Sequence, residues 1–210
     1  DTYELGEPQT LTQEETAETI VPDYCPDIAR IISAEGVVCL HGGTEQDGVT
    51  GTVRVTVLYT PENESGVRAL EFAMPFSAQG EGLAGCAHVV VETEIELLES
   101  RMLNPRKIFT RCKLVTHLAG CRKVCLTISS DAETDPALLV EKRCCGQTVS
   151  LLRQVAEKDL TFSETMSLSL GREGAAELLH CRANGIVTET KAIGNKLIFK
   201  GVFLVSALYR

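Results

Sequence analysis

Nine cysteines in a chain of 210 residues are the side chains with the most chemistry to offer. His117, Cys121 and Cys125, with the adjacent Cys144-Cys145 pair downstream, supply the imidazole and thiolate donors that zinc favours. Four-residue spacing gathers such ligands on a helix. Gly120 and the alternating residues around it predict strand or turn instead, where the same spacing diverges, so no metal is expected. A second chemistry is disulfide formation. An odd count leaves at least one thiol unpaired or available to another chain. On an extended segment Cys144 and Cys145 point to opposite faces, one toward the core and one toward a neighbour. Cys121, Cys125, Cys144 and Cys145 are therefore the candidates for cross-linking. The third reading is that reduced cysteines serve as small apolar filler, which fits Cys112 on the inward set of its strand.

The remaining chemical patterns are weaker. Glu92, Glu94 and Glu96 offer three carboxylates at alternate positions, a conceivable metal site. Lys107, Arg111 and Lys113 line the solvent side of the next strand. Antiparallel pairing would set acid against base, each cross-strand pair contributing about 0.2–1 kcal/mol, so a solvated charge ladder is the preferred reading. His41-Gly42-Gly43 resembles an oxyanion-hole loop, but no Gly-x-Ser-x-Gly elbow accompanies it, and a turn is expected there. Neither a phosphate loop nor a dinucleotide glycine fingerprint occurs. No nucleophile, base and orienting group are nominated together, so no enzyme, cofactor or small-molecule substrate is expected.

Composition narrows the classes further. Hydrophobic residues make up 44% and charged residues 23%, which suits a globular chain and not a disordered one. The net charge of −9 without basic clusters argues against nucleic acid. No apolar run reaches the roughly 18 residues of a membrane span. With no Trp and 5% aromatics, Val, Leu and Ile must build the core.

The elements that position these residues have mostly period two. Val53, Val55, Val57 and Tyr59 alternate with more polar neighbours, as do Val89 to Leu97 and Ile108 to Leu118. Further strands are predicted at 37–40, 67–72, 124–128, 149–155, 186–190 and 197–208. Turns are predicted at Gln46-Asp47-Gly48, Asn63-Glu64-Ser65-Gly66 and Gly194-Asn195, and Leu98 to Arg106 reads as a connection. Two short helices are predicted. One starts at Pro26 and puts Ile28, Ile31 and Ile32 on one face; the other runs from Gly174 to His180. The predicted class is mainly β, an antiparallel sandwich-like unit with short helices.

Self-comparison reveals a repeat. Glu18-Thr19-Ile20, Ala29-Arg30-Ile31-Ile32 and the run Gly51 to Tyr59 return as Glu164-Thr165-Met166, Ala176-Glu177-Leu178-Leu179 and the run Gly201 to Tyr209. The offset is 146 residues at Glu18/Glu164 and 150 at Tyr59/Tyr209. Residues 1–138 are expected to form one complete unit and 139–210 the opening half of a second, truncated or completed by another chain. A half-unit ending in a strand invites pairing at its edge.

The motifs in the first unit resemble the SPOCS domain family. Val21-Pro22-Asp23-Tyr24-Cys25-Pro26-Asp27-Ile28 is similar to its proline-aspartate-isoleucine opening, and Gly51 to Tyr59 to its glycine, strand, leucine-tyrosine element. Met74-Pro75-Phe76-Ser77 resembles its apolar-Pro-Phe-Ser signature, and Leu103-Asn104-Pro105-Arg106-Lys107 its turn before the last long strand. The second copy departs, with Leu168 to Gly174 in place of the Pro-Asp motif. The resemblance implies a non-enzymatic structural or adaptor role in spore-forming clostridia. It also implies a place in the mother-cell cytoplasm at the forespore surface, within the spore coat or envelope. Partners are then a coat-assembly protein or further copies of the chain, and a reducing mother cell favours free thiols at synthesis. A contact surface is expected near Pro22, Pro26, Asp27 and Ile28, since loops with an exposed proline suit recognition; helix initiation and packing explain that motif equally well. The alternative function is a self-assembling subunit of a filament or layer, joined by edge strands and cysteines.

Overall fold

The computed structural model describes residues 1–41, 48–129, 133, 135, 137, 139, 141, 143, 145–156, 158, 161, 163–165 and 177–209. The described elements are nine strands: β1 (Thr2–Leu5), β2 (Gln9–Ile20), β3 (Ile28–His41), β4 (Gly48–Pro61), β5 (Arg68–Gln79), β6 (His88–Asn104), β7 (Lys107–Val124), β8 (Leu178–Ile193) and β9 (Lys196–Tyr209). All pairing is antiparallel, so the chain is mainly β as its alternation requires.

Strand β7 organises the first sheet. One edge pairs with β6, and the other pairs with β2 and, further along, β1. The second sheet has the order β3-β4-β5. The inward residues of both meet in one core, with Val53, Val55, Val57 and Tyr59 from β4 against Ile108, Cys112 and Leu114 from β7. Each fully buried side chain of this kind contributes about 1.5–3 kcal/mol. A smaller cluster of Val49, Leu83 and Leu118 closes one end.

The predicted helix from Pro26 is not formed, and the described part of the second, 177–180, is not helical. Residues 28–33 open β3, and Leu178 to His180 open β8, while 174–176 lie outside the described residues. The reason is a pair of bulges. Ile28 pairs with Pro61, Ile31 with Tyr59 and Ala34 with Val57, with register shifts at Ile28/Arg30 and Ile31/Ser33. Each bulge adds one residue to β3, so inward side chains fall three apart and imitate a helical face. Ile32, assigned to the same helical face, is exposed.

Other boundaries also move. The predicted connection from Leu98 to Arg106 is strand as far as Asn104, followed by a tight turn into β7. The turn around Gly66 forms with φ 104°, and Gly194 at φ 58° turns β8 into β9. Residues 46 and 47 lie outside the described set. β7 stops at Val124, so 125–128 are not strand. From 149–155 Leu152 alone makes a bridge, to Tyr3.

Because residues 98–104 belong to the strand, the charge rows slide past each other. In register, Lys107 faces Asn104, Arg111 faces Glu99, and Glu92 faces His117. Of the ladder expected between β6 and β7, Lys113–Glu96 forms at 2.8 Å. Glutamates of β2 take the other cations: Glu14 binds Arg111 at 2.8 Å, and Glu18 binds Lys107. Such exposed pairs contribute at most about 1 kcal/mol each.

From Leu178/Tyr209 to Val187/Gly201 the β8-β9 hairpin follows the pairing of β3-β4, and a further register shift at Val187/Glu189 has no counterpart in β3. Leu178 pairs with Tyr209 as Ile31 does with Tyr59, and a bulge follows at the same place, Leu178/His180 matching Ile31/Ser33. Ala183 pairs with Val205 as Gly36 does with Val55, and Val187 with Gly201 as Leu40 does with Gly51. Volumes are exchanged across one pair: Val38/Val53 becomes Gly185/Phe203, and the Phe203 ring occupies the space above Gly185.

Candidate functional site

Two segments that the sequence analysis singled out, about eighty residues apart, close onto each other. Before Ile28 the chain makes a tight turn in which the Cys25 N–H donates to the Pro22 carbonyl at 2.9 Å. The Asn104-Pro105-Arg106-Lys107 turn is set by the Arg106 N–H donating to Asn104 Oδ1 at 2.9 Å. Backbone bonds then join the two: the Val21 N–H donates to the Arg106 carbonyl and the Ile28 N–H to the Pro105 carbonyl, both at 2.9 Å.

The Arg106 guanidinium fills the space between them. Nη1 donates to the Cys25 carbonyl at 2.7 Å and to Asp27 Oδ1 at 3.0 Å. Nη2 donates to the Val21 carbonyl at 2.9 Å and to Asp23 Oδ1 at 3.2 Å. A planar fork with several fixed donors suits this task, and a lysine cannot reproduce it. Asp27 is held from its other side as well, its carbonyl accepting from the Glu62 N–H at 2.9 Å.

This geometry assigns the four candidate contact residues different places. Ile28 is fully buried and anchors the loop in the core, while Pro22, Pro26 and Asp27 are half-buried and shape it. The side chains presented outward are Asp23 and Tyr24, the latter 87% exposed. Tyr24 sits on a turn, which a period-two pattern does not reach. No local sign in the sequence marks the role of Arg106, because its partners near Val21 are distant along the chain.

Tyr59 supports the loop from below, its hydroxyl donating to the Pro26 carbonyl at 3.4 Å. Burial, aided by the neighbouring Cys25 thiol, pushes its phenol up to about 12. The folded protein thus keeps this proton where the unfolded chain, with an ordinary value of 10.0, has lost it. Stability must fall as pH rises between those values, because the unfolded state then binds fewer protons. Tyr59→Phe is expected to flatten that part of the alkaline stability profile, as read from urea midpoints at a series of pH values.

The described cysteines are all free thiols. His117 sits on the exposed outer face of β7, bonded to Thr10 Oγ1 at 3.0 Å, whereas Cys121 is buried and Cys125 lies beyond the strand. Among the described residues no group of three or more His, Cys, Asp or Glu side chains gathers as a metal-ligand set. Glu92, Glu94 and Glu96 alternate along β6 as solvent-side residues. Cys144 lies outside the described residues, and Cys145 is exposed, as is Cys181. Burial raises the Cys112 thiol to about 11, which keeps it protonated and inert. A thiol reagent at neutral pH is expected to modify Cys125, Cys145 and Cys181 first, and Cys112 and Cys121 only after unfolding. Peptide mapping by mass spectrometry would read this order directly.

A second exposed region is the β8-β9 hairpin. Its start reaches the outer face of the β3-β4-β5 sheet, where His180 Nε2 lies 3.0 Å from Glu35 Oε2 and Arg68 lies 3.7 Å from Glu177. A cleft of about 430 Å3 runs between this start, the Tyr24–Pro26 turn and Tyr59. Beyond His180 most of the hairpin is open to solvent on both faces, with Phe199, Phe203, Leu204 and Tyr209 all exposed. Exposed apolar surface on this scale marks interaction sites. The warning in the sequence is the run 201–209, nine residues without a charge.

No described helix is long and apolar enough to cross a membrane. Comparison with protein-family models, with curated proteins and with solved structures finds no match to the chain.

Proposed function

We propose that this chain is a non-enzymatic assembly module that works by protein–protein contact, a structural or adaptor part of a spore coat or envelope. The observation that carries the reading is the β8-β9 hairpin, whose apolar side chains are exposed on both faces of a two-stranded sheet. An isolated hairpin is marginal in water, and a face of this kind gains stability when another surface covers it. The resemblance of the Pro22–Ile28, Gly51–Tyr59, Met74–Ser77 and Leu103–Lys107 motifs to the SPOCS domain supports the spore context. The Asp23-Tyr24 tip, fixed by Arg106, is the second contact surface, suited to a coat-assembly partner because it is exposed yet held rigid.

The alternative, a self-assembling subunit, is favoured by one specific feature: among the described residues β9 pairs with β8 alone and leaves its other edge open. Immunofluorescence in sporulating clostridial cells tests the main reading. The expected result is signal that encases the forespore and is lost or dispersed when Tyr24 is replaced by Ala. Uniform mother-cell signal with no forespore enrichment would contradict it.

A further inference from the structure

The turn before Ile28 and the start of β8 wall the cleft beneath Tyr24, and the floor between them belongs to β5. Ala69 and Glu71 alternate with the inward Leu70 and so share the outer face of that strand. Opposite them in register stand Leu58 and Thr56, which are only 9% and 7% exposed although they too lie on the outer face. Leu179 of β8, 7% exposed, is seated against this part of the sheet. Both walls are tied down. Arg106 holds the turn through the Val21 and Cys25 carbonyls, and His180 holds β8 to Glu35. The cleft is therefore a fixed depression and not a gap between loose segments.

Its lining has two parts. Pro26, Ala69 and Leu178 are apolar. Around them stand three carboxylates, Glu64, Glu71 and Glu177, against one guanidinium, that of Arg68. Arg68 shows how the cleft holds such a group: its Nε donates to Glu64 at 3.2 Å, and Nη1 lies 3.7 Å from Glu177. Among the described residues Glu71 has no ion-pair partner. Tyr24 stands exposed at the rim.

These groups define what fits. A ligand must be apolar along its stem, to cover Ala69 and Leu178, and positive at its end, to meet Glu71. A lysine satisfies both conditions, since its stem lies along apolar surface while its head stays in water. An arginine satisfies a third, because its planar cation stacks on a tyrosine face and forks onto a carboxylate. The chain as a whole, with 29 acidic against 20 basic residues, also attracts a basic partner from a distance.

We infer that this cleft receives an arginine side chain of a partner protein, its guanidinium stacked on Tyr24 and bonded to Glu71, its stem along Ala69 and Leu178. The inference rests on the adaptor reading and deepens it by naming the chemistry of the partner, a basic segment with arginine at the contact.

Amide-resolved NMR of the full chain tests it, by titration with propylguanidinium chloride at constant ionic strength. This probe is the end of an arginine side chain, and butylammonium and butanol serve as its lysine-like and neutral counterparts. Saturable shifts are expected at the amides of Cys25, Ala69, Glu71 and Leu179, weaker binding of butylammonium, and no saturable response to butanol. Glu71→Gln keeps the size of an exposed side chain and removes its charge, and is expected to weaken binding by about fivefold or more. Tyr24→Leu keeps an apolar rim without the aromatic face, and a loss of about threefold is expected. If Glu71→Gln unfolds, Tyr24→Leu alone decides. Shifts that never saturate or that spread over the whole surface would overturn the inference, as would an equal response to butanol or an affinity that neither variant changes. Forespore localisation is read separately. A titration without binding removes the arginine contact and leaves the adaptor reading in place, whereas uniform mother-cell signal removes that reading and leaves the affinity of the cleft intact.

Discussion

Replacing Arg106 with Ala is expected to lower the unfolding free energy by about 2–4 kcal/mol, the range for removing charge-assisted hydrogen bonds and leaving partly buried carbonyls unsatisfied. Four acceptors lose their donor at once: the carbonyls of Val21 and Cys25, and the carboxylates of Asp23 and Asp27. The two carboxylates are then left close together without the intervening cation, which adds to the loss. Arg106→Lys should recover little, because one ammonium cannot span two carbonyls and two carboxylates. Urea denaturation measures the stability, and amide exchange at Val21 and Ile28 reads the loop. Both amides are bonded to the Pro105-Arg106 turn and should lose protection together. A change below about 0.5 kcal/mol, the level of an ordinary surface substitution, would mean that backbone pairing alone holds the loop.

Gly51→Val is the second large effect, expected at about 3 kcal/mol, the upper part of the range for overpacking. Gly51 pairs with Phe76, and a β-carbon built on Gly51 would lie 2.4 Å from one ring atom and 2.6 Å from another. It would also sit 3.0 Å from the Cys39 carbonyl oxygen, so the backbone on the other side gives no room. The Phe76 ring must leave a core in which it is 5% exposed. The mechanism has its own check. Gly51→Ala should cost clearly less in a Phe76→Ala background than alone, a coupling that a calorimetric or urea double-mutant cycle isolates. Additive effects would show that the ring does not depend on the glycine. The glycine opening one quoted motif and the phenylalanine of another thus form a single packing unit.

Much of the fold was legible because it rests on alternation. The inward rows of β4 and β7 could be read directly, and so could the hairpin ending at Gly194-Asn195. Of the internal repeat, the hairpin part is matched in the structure. Ile31 and Leu178 share a pairing partner type, a register and a bulge.

What failed has definite causes. Bulges at Ile28/Arg30 and Ile31/Ser33 changed a spacing of two into three, and a local reading takes that for a helix. The charge ladder was assigned to β6 and β7 because they adjoin in sequence. In the sheet β7 has two neighbours, and Glu14 and Glu18 of β2 were the nearer acids. For the candidate site, the Pro22–Ile28 segment was recognised but its exposed part was not. Exposure there depends on Arg106, which arrives from across the sequence.

The hairpin β8-β9 is where sequence and structure together say most about function. Its inner row repeats that of β3-β4, while its outer row carries Val202 and Leu204 where the first copy carries Thr52 and Arg54. A row that is polar in β4 has become apolar at Val202 and Leu204 in β9. The proposed self-assembly reading would cover this row by pairing along β9.

Hydrogen exchange along β9 addresses this most directly. In an antiparallel hairpin alternate amides face β8, and the rest face the open edge. The open-edge amides between Gly201 and Tyr209 should exchange slowly in the wild-type chain and rapidly in Val202→Thr/Leu204→Arg. The amides facing β8 should change much less. Equal, rapid exchange of the open-edge amides in both proteins would contradict the paired edge and remove the main support for self-association.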